Sequence, residues 1–229
     1  MSAKFDDYKD SYRQEVERSI SFSGAALDVF TEAKAVALLR LTRDRLGDPA
    51  GVRALDVGCG AGETDRYLAP ELRELHGVDV SSEIIETARV QNPSVDYSTY
   101  DGERLPYDDG VFDLAFAICV IHHVPPSQWE RFVRELARVV RPGGLAAVIE
   151  HNPFNPLTRL AVSRCAFDDD AVLLRASRAA QLLADAGVAD VHSEYIVFHP
   201  FRAPALRDLE RHLRWLPLGA QYVAAGIRR

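Results

Sequence analysis

The sequence predicts an α/β fold: a doubly wound, mostly parallel sheet of seven strands with an antiparallel last strand. Three observations carry that expectation. From about residue 50, short aliphatic or β-branched runs alternate with helical patterns, as parallel strands joined by crossover helices require. The first run ends in Gly58-x-Gly60-x-Gly62, a tight bend leading into a helical segment. The most apolar run, within Phe112 to Ile121, suits a central strand buried on both faces.

Taken in order, the first 45 residues are helical in pattern and precede the sheet. Val52 to Val57 is the first strand, followed by a helix near Glu63 to Leu68. Glu74 to Asp79 is the second, and Ser81 is placed to cap a helix over Ser82 to Gln91. Val95 to Tyr100 runs into the turn Asp101-Gly102-Glu103, and Phe112 to Ile121 is the fourth strand. Ser127 to Glu130 reads as a capping box. The helix behind it carries Trp129, Phe132, Val133, Leu136, Val139 and Val140 on one side, a stripe that packs the core. Pro142-Gly143-Gly144 stops that helix and starts the fifth strand, Leu145 to Glu150.

The rhythm then breaks. Residues 151–168 contain two Asn-Pro steps and no clear period, so the segment reads as an insertion, a cover over a substrate site that extends to residue 170. Asp168 to Asp170 place carboxylates at the positive end of a helix over Ala171 to Ala186, which Gly187 closes. Val188 to His199 and Gln221 to Gly226 read as an antiparallel pair of strands, with an amphipathic helix over Ala203 to Trp215 between them. A chain of 229 residues has room for one well-buried core, so residues 1–229 are expected to form a single domain.

Composition excludes several classes. A net charge of −7 without a basic block offers no electrostatic footprint for a nucleic-acid backbone. The longest uninterrupted apolar stretch, Leu114 to Ile121, is far short of the roughly 20 residues that span a bilayer. The opening MSAKFDDYKD has no apolar signal-peptide core, and Cys59, Cys119 and Cys165 lack metal-ligand spacing. A cytoplasmic protein with no membrane or nucleic-acid partner is expected.

Chemistry concentrates in Ala54-Leu-Asp-Val-Gly-Cys-Gly-Ala-Gly62. Glycines directly after a buried strand let the backbone turn sharply and approach a ligand, and the next helix start offers N–H groups to an anion. A dinucleotide fingerprint would need Gly-x-Gly-x-x-Gly, but counting from Gly58 the last position is Glu63. A carboxylate there repels a pyrophosphate and better tolerates a ligand with a single carboxylate.

Over residues 50 to 150 the chain resembles the class I S-adenosylmethionine (SAM)-dependent methyltransferases, with a Rossmann-like fold, and within them the small-molecule, ubiquinone-biosynthesis-like branch (type 11). The resemblance rests on the glycine segment, Gly77-Val78-Asp79, Asp101-Gly102-Glu103 and Leu136 to Gly144, LARVVRPGG, in that order. It implies SAM as cofactor, with Asp56 organising the methionyl amino group and Gly58 and Gly60 passing beneath. By the same resemblance Asp79 holds the ribose hydroxyls, Val80 lies against the adenine, and Asp101 with Gly102 meets the adenine amino group. A vicinal diol and an exocyclic amine are donors, and carboxylates are their natural acceptors. Plainer readings stand beside these: a strand-end turn for Asp56, a helix-start carboxylate for Asp79, an Asp-Gly turn for Asp101. Phe5-x-x-Tyr8-x-x-x-Tyr12 resembles the family's aromatic lid, making 1–45 a helical lid with Tyr12 as the preferred contact. Amphipathic packing is its alternative.

On the acceptor side, His122 and His123 follow the fourth strand, where open parallel sheets bind ligands, and are the candidates for a general base. Shaping the pocket is their other reading. Glu150, His151 and Asn152 end the fifth strand on the same rim as candidate substrate contacts. Arg159 and Arg164 pair either with an acidic substrate or, preferably, with Asp168 to Asp170; Cys165 has no identifiable histidine partner. No metal cluster is evident from spacing, so the expected reaction is metal-free methyl transfer to O, N or C of a small molecule, with O favoured. A SAM-binding regulatory or assembly protein without turnover is the alternative, and an NAD(P)-dependent oxidoreductase a more distant one.

Overall fold

Residues 12–199 and 210–229 are described by the computed structural model. Helices α1 (Tyr12–Ile20) and α2 (Leu27–Leu46) lead into β1 (Arg53–Val57), α3 (Asp65–Leu68), β2 (Glu74–Asp79), α4 (Ser82–Gln91) and β3 (Asp96–Thr99). The chain continues through β4 (Phe112–Ile118), α5 (Trp129–Arg138), β5 (Val140–His151), α6 (Pro156–Arg164), α7 (Ala176–Asp185), β6 (Val188–Ile196) and β7 (Gln221–Arg228). The strands form one seven-stranded sheet in the order β3-β2-β1-β4-β5-β7-β6. Neighbours from β3 to β5 pair parallel, and β7 inserts antiparallel between β5 and β6. The expected doubly wound architecture with an antiparallel last strand is the observed one.

Side-chain alternation explains why helices cover both faces. Ala54, Leu114, Leu145 and Val223 point to one side, where Leu38, Leu41, Leu68 and Ile85 meet them. Their chain neighbours Leu55, Ala115, Ala146 and Ala224 point to the other, against Trp129, Val133, Leu136, Leu182 and Leu183. The central strands are therefore apolar on both faces, as parallel strands under crossover helices must be.

From β1 the chain winds outward through β2 and β3, then returns to lay β4 on the other side of β1. That reversal opens a crevice beyond the carboxyl ends of β1 and β4. The glycine bend follows β1 and the histidine pair follows β4, so both face the same crevice.

Several local expectations are corrected. The helix after the glycine bend is one turn, starting at Asp65, and its N-cap Thr64 makes no side-chain capping bond. It is therefore no extended anion-binding helix start. Strand β4 ends at Ile118, because Cys119 adopts φ 58° and residues 121–123 form a 3-10 turn. Ser127 is not a helix cap: Pro126–Gln128 is a 3-10 turn with Pro126 at its start, and α5 begins at Trp129. Trp129 instead anchors the helix, its indole N–H donating to the carbonyls of Ile121 at 3.0 Å and Val124 at 2.9 Å.

The segment read as patternless holds α6. Asn155 caps it through Oδ1, which accepts from Leu157 N at 2.9 Å and Thr158 N at 3.1 Å, and Pro156 fills the first helical position. The helix expected from Ala171 starts at Ala176 instead, so Asp168 to Asp170 do not sit at its positive end; Ala166–Asp168 is a separate 3-10 turn. The helix expected over Ala203 to Trp215 falls largely outside the described residues; 210–213 are helical. Among the described residues no helix is long and apolar enough to cross a membrane.

Candidate functional site

A cavity of about 830 Å³ occupies the crevice. Its size is that of small-molecule sites, which are mostly apolar with a few fixed polar groups. Asp56, Gly58, Gly60, Asp79, Val80, Asp101 and Gly102 line it together with His122 and His123. Tyr12 opens α1, but its side chain, like Phe5 and Tyr8, lies outside the described atoms.

The donor-side geometry is set by the backbone. Gly58 has φ 80°, and a Cβ there would meet Val120 Cγ2 at 2.6 Å. Gly60 has φ 54° with nothing within 4 Å of such an atom, so its exposed face is open to a ligand. Asp79 holds the bend: Oδ2 accepts from Gly60 N and Oδ1 from Ser81 N, each at 3.0 Å. Ser81 caps α4 as expected, accepting from Ile84 N at 3.2 Å. Asp101 makes its own turn, Oδ1 accepting from Glu103 N at 2.7 Å and Arg104 N at 2.9 Å. These backbone donors hold its carboxyl below the usual carboxylate range. Turn residue and cavity wall are thus the same carboxylate.

Asp56 is buried, with Oδ1 lacking a hydrogen-bond partner. Burial and the neighbouring carboxylate of Asp65 push its pKa well above the usual range, while Lys34 opposes the shift. Asp65, fully buried, is raised to about 6 by desolvation, against the pull of the Tyr97 hydroxyl that donates to it at 2.7 Å. Two carboxyls in one dry site cannot both ionise cheaply. Sequence reasoning missed Asp65 and Lys34, whose side chains meet the site only through the packing of α2 and α3 against the sheet.

Glu63 does not stand as a bare negative charge. Arg13 pairs with it at 2.9 Å and Arg66 at 3.5 Å, while both guanidiniums also reach Asp28. Its charge is therefore offset, and the expected repulsion of a pyrophosphate loses its force. The same network ties α1 to the turn after the glycine bend.

On the acceptor side, His122 is buried and its Nδ1 lies 2.6 Å from Glu150 Oε2. Glu150 Oε1 accepts from Val120 N at 3.0 Å and Ile121 N at 2.7 Å. Burial alone would lower the His122 pKa, but Glu150 and Asp168 outweigh it and hold the ring protonated well above its ordinary range. His123, more open, is lowered to about 4 by burial and by His122, and His151 is lowered to about 4 for the same two reasons. Of the three candidates ending β5, only His151 lines the cavity. Asn152 is spent on structure, donating to Pro217 O at 3.0 Å and Gly219 O at 2.8 Å.

Asp168, which the sequence placed at a helix start, approaches both histidines: its Oδ1 lies 3.7 Å from His122 Nε2 and 3.3 Å from His123 Nε2. Arg164 lies over the Phe22 ring, 5.5 Å from its centroid. Burial raises the Cys165 thiol to about 12, leaving it unreactive as a nucleophile.

The strand order and the glycine bend at the crevice are those of a Rossmann-like fold, with carboxylates from successive strand ends facing its cavity. Residues 55–148 match the methyltransferase domain family. An uncharacterised methyltransferase of Synechocystis is 31% identical over 117 residues, 51% of this chain and 55% of that one. The 27-O-demethylrifamycin SV methyltransferase of Amycolatopsis mediterranei is 37% identical over 123 residues, 49% of this chain and 44% of its own. The chain thus spans about half the length of the curated relatives it matches. A SAM-dependent methyltransferase from Thermotoga maritima superposes over 100% of both chains with a TM-score of 0.71 at 20% identity, a likeness of fold.

Proposed function

We propose that this chain transfers a methyl group from SAM to an oxygen of a small-molecule acceptor. The observation that carries this reading is that the glycine bend, Asp56, Asp79 and Asp101 line one cavity with the histidine pair. When bound, SAM supplies an electrophilic methyl on a sulfonium, which an acceptor lone pair takes as the thioether leaves.

The chain's own groups suit that ligand. Asp79, which lines the cavity while bracing the bend through Gly60 and Ser81, is a carboxylate, the natural acceptor for ribose hydroxyls. The buried, unpartnered Asp56 Oδ1 is an acceptor for a cationic amine. Asp101 and Gly102 bound the adenine end, with Val80 beside Gly102. Residues of α1 and α6 line the far side of the cavity, where a helical lid and a substrate cover would exclude water. Positioning of donor and acceptor supplies the bulk of the rate, about 7–11 kcal/mol when aligned. His122 and His123 form the acceptor-side pair that holds the acceptor, and His123, the neutral member, is the one able to take up its proton. The oxygen preference draws on the Amycolatopsis relative, whose name describes an O-methylation.

Calorimetry with SAM and NADH tests the reading. SAM should bind and NADH should not. Asp79→Asn should weaken SAM about 10–100-fold, the worth of a charged hydrogen bond. NADH binding in place of SAM would overturn the proposal.

A further inference from the structure

The three polar groups at the mouth of β4 form a set that neither methyl-donor recognition nor packing explains. His122, His123 and Asp168 each offer one ligand atom, and these atoms lie within 4.8 Å of one another. Asp168 Oδ1 is 3.7 Å from His122 Nε2 and 3.3 Å from His123 Nε2, yet it is buried without a hydrogen-bond partner. The side chain of Asp168 is 7% exposed and that of His122 1%. An orphaned carboxylate oxygen facing two imidazole nitrogens at such depth calls for something between them.

The two spacings from Asp168 Oδ1 are near those of ligands on one ion. Two donors held about 2.0–2.1 Å from a metal and subtending a tetrahedral angle sit about 3.4 Å apart. The orientation of His122 agrees. Its Nδ1 is engaged by Glu150, itself fixed by two backbone N–H groups, so that in the neutral ring the lone pair is on Nε2. A carboxylate that fixes the tautomer of a ligating histidine is the usual outer partner of a metal site.

We propose that His122 Nε2, His123 Nε2 and Asp168 Oδ1 bind one divalent first-row transition metal ion, with Glu150 as the positioning residue for His122. Two imidazoles and one carboxylate favour zinc, cobalt or iron(II) over magnesium or calcium. All three ligands line the cavity, so the open side of the ion faces the acceptor space, with His151 next to it, its ring centroid 5.0 Å from that of His122. Binding displaces any proton on His122 Nε2. This site replaces the expected metal-free mechanism and deepens the methyltransferase reading, on which its catalytic role rests. The ion would take the acceptor's oxygen as a ligand, lower the pKa of its O–H and release that proton to solvent.

The test uses the full chain, stripped with a chelator and titrated with zinc by calorimetry and with cobalt(II) by visible absorption. One ion per chain and the visible bands of four- or five-coordinate cobalt are expected. His123→Gln, at the less buried of the two histidines, and Asp168→Asn should each weaken zinc binding more than Glu150→Gln does, for which about 10–100-fold is expected. Circular dichroism of each variant confirms that loss of binding is not loss of fold. Absence of stoichiometric zinc and cobalt binding, or binding indifferent to His123→Gln and Asp168→Asn, overturns the site. SAM calorimetry on the same stripped chain separates the two ideas. SAM binding by a chain that takes up neither zinc nor cobalt sinks the site alone, whereas zinc binding without SAM binding sustains the site and sinks the methyltransferase reading.

Discussion

The donor and acceptor halves of the cavity are built by different means. On the donor side Asp79 and Asp101 are held by backbone donors of the turns they sit in or beside: Asp79 by Ser81 and the bend, Asp101 by residues 103 and 104. On the acceptor side every group depends on a partner distant in sequence, as His122 does on Glu150 and Asp168. Local turns tolerate the loss of one member. A buried relay of charges does not, because each group's desolvation is offset only by the next. The two halves should therefore fail differently when cut.

The largest effect is expected at Glu150. Glu150→Ala leaves the buried His122 ring without its anion and the N–H groups of Val120 and Ile121 without an acceptor. Removing one partner of such a buried pair costs about 3–5 kcal/mol. Urea unfolding should show that loss. A change below about 1 kcal/mol would mean that the acceptor half is no more interdependent than the donor half.

The glycine bend sharpens the contrast within the donor half. Gly58→Ala forces a Cβ against Val120 at a φ of 80°, and should cost about 1–3 kcal/mol of stability as well as SAM affinity. Gly60→Ala meets no protein atom within 4 Å and pays only its backbone conformation, about 1–2 kcal/mol, yet its methyl enters the donor space. Unfolding curves and SAM calorimetry on both variants should therefore rank stability loss as Gly58 over Gly60. Equal stability losses would show that the packing of Val120 against the bend is not what requires a glycine.

The same division governs what the sequence could reveal. Strand alternation, the bend, Asp56, Asp79 and Asp101 are local patterns, and the structure brings all of these carboxylates to one cavity wall. The rim was legible only in part. His122 and His123 could be placed by the strand they follow, but their partners could not. Asp168 reads as a helix-start carboxylate because Asp-Asp-Asp precedes an apolar run, yet the 3-10 turn at Ala166–Asp168 turns it toward the histidines. Asn155-Pro156, read as a break, is an N-cap followed by a first-turn proline, a helix signal within reach of a closer reading. Lys34 and Asp65 carried no local mark at all, because only tertiary packing sets them beside Asp56.

The carboxyl pair under the bend gives a smaller effect with a definite sign. Asp56 and Asp65 have folded pKa values raised above those of the unfolded chain, Asp65 to about 6. A raised pKa contributes stability that is fully present below about pH 4 and lost as pH rises through 6. The native chain should therefore lose on the order of 2 kcal/mol from this pair between pH 4 and pH 7. Asp65→Asn, which still accepts from Tyr97, should flatten that fall by removing one titrating group and the repulsion on the other. Urea midpoints measured from pH 4 to 7.5 decide it, and parallel curves for the two proteins would mean that the pair is not coupled. SAM binding near pH 6 should release protons, because its cationic end favours ionised Asp56, and the calorimetric enthalpy should then depend on the buffer.

Asp101 should give the smallest effect, and its size tests whether the donor half is as forgiving as its local construction implies. The carboxylate is fully exposed, and its turn needs only an oxygen that accepts from Glu103 and Arg104. Asp101→Asn keeps that oxygen and removes the charge, so the unfolding midpoint should not move. An exposed charge contributes little to a contact, which sets the loss of SAM affinity at no more than about five-fold. A loss as deep as that of Asp79→Asn would show that Asp101 closes over the adenine when SAM binds, leaving water for a drier site. The donor half would then share the interdependence of the acceptor half once its ligand is in place.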